Sequence, residues 1–282
     1  MQTEINSNTT VVIPCYNDAS YINQAVNSVL KQSLLPEKII IIDDGSQEDT
    51  LDVLRKIESP LVEIDYQENS GVCSARNRAI EMAATDYILT LDADDYFEPT
   101  FLEKAHAILS TQKDVAAVCC HYQRFIGNKL VGDAVKPLGG SVENFLVQNN
   151  GLGNALFRKS CWEEVNGYDV SFDKGYEDWD FWISMLKNGW IMYVIPELLF
   201  KYRLKETSRD QSALLHHDQE LKLKIYNKHE DLYVKHASQV YAQLVFKNNL
   251  LKNKITKTQN SIDHKIGASL LKPLRFVKSL FS

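Results

Sequence analysis

Apolar positions along this chain fall into short unbroken runs separated by stretches with helical spacing. Residues 10–15 and 38–43 are apolar in nearly consecutive positions, as strands covered on both faces are. Between them, Tyr21/Ile22, Ala25/Val26 and Val29/Leu30 recur at helical spacing. Further strands are predicted over 61–66, 87–92 and 115–122, with a loop leading into a helix over 70–84 and another helix opened by Pro99. "DDGS" breaks the second strand, and Ser46 is placed to cap the helix that follows. This alternation predicts an α/β fold, an open and largely parallel sheet that binds ligands at the carboxyl ends of its strands. Polar residues collect at those ends: Tyr16 and Asn17 after the first strand, Asp43 and Asp44 after the second, and Asp92, Asp94 and Asp95 after the fourth.

Residues 125–150 read as looser chain containing Gly127, Gly132, Gly139 and Gly140. Strands are then expected over 153–159 and 190–195, flanking a helix over 176–189 that ends at Gly189. Beyond Arg203 the chain turns helical and basic. Up to Leu204 there are 17 Lys+Arg against 30 Asp+Glu, and from Lys205 onward 14 against 7. That break predicts a catalytic region over 1–205, with halves at about 9–122 and 123–205, and a basic helical extension over 206–282. The net charge of −6 gives no reason to expect a nucleic-acid partner.

No run approaches the roughly 18 apolar residues of a transmembrane helix. The opening residues lack the basic and apolar regions of a secretory signal. The five cysteines have no metal-ligand spacing and are expected as reduced, mostly core thiols of a cytoplasmic protein.

Asp92, Asp94 and Asp95 crowd into four positions after an apolar run. Such carboxylates repel unless a cation or hydrogen-bond donors neutralise them. One Asp would read as a solvated turn; this cluster favours a metal. Oxygen ligands without a His or Cys cluster suit Mg2+ or Mn2+ rather than zinc. Mg2+ commonly takes one or two carboxylates together with substrate phosphates, so a phosphorylated substrate is expected. A P-loop, a Rossmann GxGxxG after the first strand and a Gly-rich nucleotidyltransferase loop near the amino end are all absent.

In order, "VVIPCYND", "IIIIDDGSQEDT", "NSGVCSARNRAI", "LTLDADD" and "YEDWDFW" resemble glycosyltransferase family 2, the inverting sugar transferases with the GT-A fold. The resemblance covers about residues 9 to 205. It implies a nucleoside pocket with Pro14, Tyr16 and Asn17, and with Asp43 and Asp44, where Asp44 accepts the uracil N3–H. Arg76 resembles the basic group of that pocket. Asp92 and Asp94 match the DxD motif, with Asp94 on the metal and Asp92 acting through water or the ribose; Asp95 either orients the turn or touches the acceptor. Blander readings stand beside these: Asp43 and Asp44 as caps of the next helix, Arg76 as part of a solvated face, Tyr16 as core.

"GYEDWDFW" supplies a second acidic site. By the family's pattern Asp178 is the base that takes the acceptor's proton, and Glu177 is its helper. Trp179 and Trp182 are candidates for stacking on a sugar ring, or for core packing. Asn154 is a candidate sugar contact. The family often has a histidine after the last strand, but this chain reads "YRLKETS". Arg203 and Lys205 are then candidate partners of the leaving diphosphate, and a His metal ligand is in doubt.

In the tail, Leu244, Leu251, Ile255, Thr258, Ile262 and Ile266 roughly follow a four–three spacing that suits a helical pairing or an oligomer seam. Residues 264–282 place Ile266, Leu270, Leu274, Val277 and Phe281 on one helical face beside Lys272, Arg275 and Lys278. That arrangement suits either an amphipathic helix on an anionic membrane or a helix packed on the catalytic region. The resulting expectation is an inverting, metal-assisted transferase moving a sugar from a UDP-sugar to a glycan or lipid-linked glycan, at or near the inner membrane face. A sugar-nucleotide pyrophosphorylase and a silent nucleotide-sugar-binding module are the alternatives.

Overall fold

Strand β2 (Lys38–Asp44) explains its own sequence: Ile39, Ile40, Ile41 and Ile42 are all buried because both faces of the strand are covered. It runs parallel to β1 (Thr9–Cys15) on one side and to β3 (Val62–Gln67) on the other. The computed structural model describes residues 7–205, 209–262 and 266. Strand β4 (Tyr87–Thr90) joins β1 on its free edge, also in parallel. Having placed β2 and β3 on one side of β1, the chain returns to lay β4 on the other. The crevice outside the ends of β1 and β4 is therefore the topological switch point, the preferred ligand position of an open α/β sheet.

The sheet continues through β8 (Leu156–Arg158), antiparallel to β4, and then β6 (Val115–Ile126), β9 (Ile191–Arg203) and β5 (Tyr96–Phe97). Strand β7 (Lys129–Val135) hairpins back on β6. The sequence reading stopped β6 and β9 several residues short and omitted β5 and β7. Beyond Cys120 the two long strands stay paired through register shifts at Cys120/His121 and His121/Tyr122, which interrupt the hydrophobic alternation that marks a strand. Strand β5 is only two residues long and exists by pairing with β9.

Helix α1 (Ile22–Leu30) buries Ile22, Ala25, Val26 and Val29, the predicted face. Helices α2 (Glu48–Leu54), α3 (Val72–Met82), α4 (Phe101–Thr111), α5 (Lys159–Glu164) and α6 (Glu177–Leu186) complete the layers. Ser46 does not cap α2: the N-cap is Gln47, and the Ser46 hydroxyl instead accepts from the Asn17 amide. Gly45 sits at φ +77°, and a Cβ there would come within 2.8 Å of the Asn69 backbone nitrogen, so this turn tolerates no side chain.

After β9 come the short α7 (Arg209–Ser212), a π-helical stretch Ala213–His217, α8 (Asp218–Lys228), α9 (Glu230–Lys235) and α10 (Ala237–Asn260). The described residues fall into two units, one ending at Leu232 and the other beginning at Tyr233. Helix α10 buries none of its residues, and Leu244, Leu251 and Ile255 of the four–three stripe are exposed. Apart from Ile266, the proposed amphipathic stretch 264–282 lies outside the described residues.

Candidate active site

A cavity of about 370 Å3 opens at the switch point, with Pro14, Tyr16, Asp44, Asp92, Asp94 and Asp95 on its walls, as the motifs predict. Lys205 joins them, and so do residues the sequence reading did not single out: Asp18, Asp173 and Arg209.

At the β2 end, Asp44 accepts from the Ser70 and Gly71 amides at 2.8 and 2.9 Å and from Gln67 Nε2 at 2.7 Å. These donors fix the carboxylate, 4% exposed, in the cavity wall. Tyr16 is 52% exposed, which rules out its reading as core. Two expected nucleotide contacts are corrected. Asp43 turns inward, is 2% exposed and accepts from the Ser46 amide, so it shapes the turn. Asn17, at φ 56°, accepts from the Gln47 amide and pins the β1–α1 loop to the same turn.

Of the carboxylates after β4, Asp95 is buried, whereas Asp92 and Asp94 stay partly exposed and differ in the cation each meets. Arg76 is buried at 2% exposure, not a solvated face, and it does not line the cavity. It donates from Nη2 to Asp92 Oδ1 at 2.6 Å and from Nη1 to Glu177 Oε1 at 3.1 Å. This corrects the reading of Arg76 as a nucleotide contact: it is a bridge between the two acidic motifs. Burial alone would raise the Asp92 pKa, but the Arg76 guanidinium and Asn154 bring it below the usual carboxylate range. Glu177 behaves likewise, with Arg209 and Arg76 outweighing its burial. Glu177 is paired with both arginines. Asn154 is also corrected, from sugar contact to clamp: Oδ1 accepts the Asp92 amide at 2.6 Å and Nδ2 donates to Asp92 Oδ2 at 3.1 Å.

Asp95 is buried and accepts the Arg203 backbone amide at 2.7 Å, which ties the turn after β4 to the end of β9. Burial and the neighbouring Asp94 and Asp92 charges push its carboxyl well up. Arg203 is not available to a diphosphate. Its Nε donates to the Asp94 carbonyl at 2.7 Å, its Nη2 donates to Gln24 Oε1, and its guanidinium lies 4.4 Å from the ring centres of both Tyr21 and Phe125. Lys205 Nζ lies 2.7 Å from both Asp18 Oδ1 and Asp94 Oδ2.

Asp178, the predicted base, lies in the first turn of α6 and does not line the cavity. Its Oδ1 accepts the Trp179 amide at 2.7 Å and its Oδ2 accepts Asn149 Nδ2 at 2.8 Å. Gly153 packs against it so closely that a Cβ there would lie 3.2 Å from Asp178 Oδ2. Thus the 149–154 loop touches Asp178 with one end and clamps Asp92 with the other. Neither tryptophan is a sugar platform. Trp182 is 0% exposed, packed on Phe157 and Phe181, and Trp179 is buried with its Nε1 donating to the Phe145 carbonyl. An interior helix face explains the aromatic run. The motif's last acid, Asp180, had no predicted role; it accepts from Lys228 and pairs with His229, tying α6 to the end of α8.

Among the described residues, no group of three or more His, Cys, Asp or Glu side chains could hold a metal ion by itself. Asp92 and Asp94 nonetheless face one cavity as oxygen donors, and burial with Asp92's charge raises the Asp94 pKa, a repulsion that a cation relieves. Two carboxylates completed by phosphate oxygens and water are a fitting donor set for Mg2+ or Mn2+.

Of the residues not anticipated, Asp18 lies inside the quoted "YND" segment and Asn149 beside the 153–159 strand, whereas Arg209 carries no local signal.

Residues 10–165 match the family model of glycosyl transferase family 2. The putative teichuronic acid biosynthesis glycosyltransferase TuaG of Bacillus subtilis is 31% identical over 209 residues, covering 70% of this chain and 79% of that protein. The UDP-Glc:alpha-D-GlcNAc-diphosphoundecaprenol beta-1,3-glucosyltransferase WfgD of Escherichia coli is 27% identical, covering 70% of this chain and 78% of that one. In fold, the chain is similar to residues 1–349 of S. aureus TarS in complex with UDP-GlcNAc, with TM-score 0.60 and 20% identity over 73% of this chain and 61% of that one. The chain belongs to glycosyl transferase family 2 and is a glycosyltransferase with the GT-A fold.

Proposed function

We propose that this glycosyltransferase inverts the anomeric centre as it moves a sugar from a UDP-sugar to a hydroxyl of a glycan or lipid-linked glycan. The observation that carries the reading is the buried connection from Asp92 through Arg76 to Glu177, the residue beside Asp178. It supports a donor site and a base held at fixed separation, which in-line displacement requires.

In this reading Asp44 accepts from the uracil imide, a single donor facing a pure acceptor, and the exposed Tyr16 covers the base. Lys205 and Arg209 neutralise the diphosphate, replacing the Arg203 of the sequence reading. Asp178, its carboxylate oriented by Asn149 and the Trp179 amide, takes the proton of the attacking hydroxyl. A divalent ion held by Asp94 and Asp92 would supply charge neutralisation to the departing diphosphate. The similarity to WfgD, a UDP-Glc:alpha-D-GlcNAc-diphosphoundecaprenol glucosyltransferase, supports a UDP-sugar donor and a lipid-diphosphate acceptor, and the fold of TarS, seen in complex with UDP-GlcNAc, supports a UDP-sugar. The β1–α1 connection, residues 16–21, holds no glycine and so no Gly-rich loop of the kind a pyrophosphorylase needs.

Five free, buried cysteines support a reducing, cytoplasmic setting. Among the described residues no helix is long and apolar enough to cross a membrane.

The test is release of nucleoside diphosphate from a panel of sugar nucleotides with Mn2+ or Mg2+ and glycan or lipid-diphosphate acceptors. Acceptor-dependent release from a UDP-sugar is expected; no release from any donor overturns the proposal.

A further inference from the structure

Lys205 joins three segments of the chain at the cavity wall. Three separate segments meet at its ammonium: Asp18 of the β1–α1 loop, Asp94 after β4, and Lys205 itself after β9. Nζ is 2.7 Å from one oxygen of each carboxylate and 5.1 Å from the Tyr21 ring centre. All three charged side chains are partly open to the cavity, Lys205 at 27%, Asp18 at 16% and Asp94 at 22% exposure. The contrast with Arg76 is plain, because that guanidinium is enclosed and cannot leave Asp92 without opening the core. An ammonium on a flexible four-carbon stem can exchange partners by rotation alone.

Asp94 faces the cavity at 22% side-chain exposure, beside Asp92 at 32%, and the ammonium already occupies one of its oxygens. A metal that takes this Asp94 oxygen in the donor-free cavity must therefore displace a resident cation. A diphosphate changes the balance, because its oxygens offer the ammonium a new anionic partner and the metal further ligands.

We infer that Lys205 is a resident cation that masks Asp94 and Asp18 in the donor-free protein, so that divalent metal and nucleoside diphosphate bind in mutual dependence. The diphosphate draws Lys205 off Asp94 and exposes the carboxylate to the ion. By linkage, the metal then tightens the diphosphate by the same factor. The inference rests on the cavity being a nucleoside-diphosphate site, and the experiment separates the two claims.

Free Mn2+ is titrated by electron paramagnetic resonance with the full chain, in the presence and absence of UDP. Wild type should bind Mn2+ weakly alone and at least about tenfold more tightly with UDP, a shift typical of coupled sites. Lys205→Ala should bind Mn2+ about tenfold more tightly than wild type without UDP, and should lose most of the UDP dependence. Equal Mn2+ affinity of wild type and Lys205→Ala without UDP overturns the inference. Should Lys205→Ala fail to fold, the wild-type titration decides, since equal affinity with and without UDP also overturns it. If UDP binds to no form while Lys205→Ala still tightens Mn2+, the nucleotide reading falls and the masking role stands.

Discussion

Asp92 and Asp94 are two residues apart, yet each meets its cation in a different environment. Asp92 is held by an arginine enclosed in the core and by both ends of the Asn154 amide. Asp94 is held by a lysine on the cavity wall that it shares with Asp18. One arrangement extends inward to Glu177 and fixes the distance to the acceptor side; the other ends in solvent and is free to rearrange. The difference teaches that a dense acidic motif need not act as one unit. The enclosure of the partner cation assigns part of it to architecture and leaves part for ligand exchange.

The largest effect tests what the inner network serves. Asp178→Asn should lower kcat by about 10^2–10^4-fold, the range of a lost general base, with UDP affinity unchanged. Full transfer activity in this variant would leave the inner bridge without a catalytic purpose. Next comes stability, where the two networks should separate. Arg76→Met removes the guanidinium shared by Asp92 and Glu177, leaving Glu177 with Arg209 alone, and should cost about 3 kcal/mol in urea unfolding, as breaking a buried pair does. Lys205→Met releases two partly solvated carboxylates and should cost about 1 kcal/mol or less. Similar losses from both would erase the distinction between a fixed and an exchangeable cation.

The smallest effect lies at a third pair, Lys228 with Asp169, which is about a third exposed on each side. Burial opposes ionisation of Asp169, but Lys228 and Ser171 hold its pKa below the usual carboxylate range. A depressed folded pKa stabilises above the unfolded value of about 4 and loses that contribution as pH falls through the folded one. Asp169→Asn should therefore be less stable than wild type by about 1 kcal/mol at neutral pH, with the gap closing in acid. A gap independent of pH in thermal melts would show that the pair acts by packing rather than by charge.

The strands that were easiest to read are those whose burial is continuous. Val11, Val12, Ile13 and Ile39 to Ile42 are apolar because the sheet is covered on both faces, so composition alone locates β1 and β2. The far ends of β6 and β9 and all of β5 depend on pairing partners distant in sequence. The same division runs through the site. Asp44, Asp92 and Asp94 lie at strand ends, which the parallel order brings together at the switch point. Arg76, Asn154 and Arg203, candidate contacts by the resemblance or by their chemistry, face the protein, and so do the two tryptophans, for which core packing was the other reading.

The sequence by itself determined the parallel α/β order, the switch-point carboxylates and the two acidic motifs, because strand periodicity and charge crowding are local properties. Only the tertiary structure decided which charges bind and which brace. That choice depends on burial and on partners across the chain: Arg76 reaches Glu177 from 101 residues away, and Lys205 reaches Asp18 from 187. A buried charge must satisfy its partners within the fold, whereas a charge on the cavity wall can exchange them for a ligand.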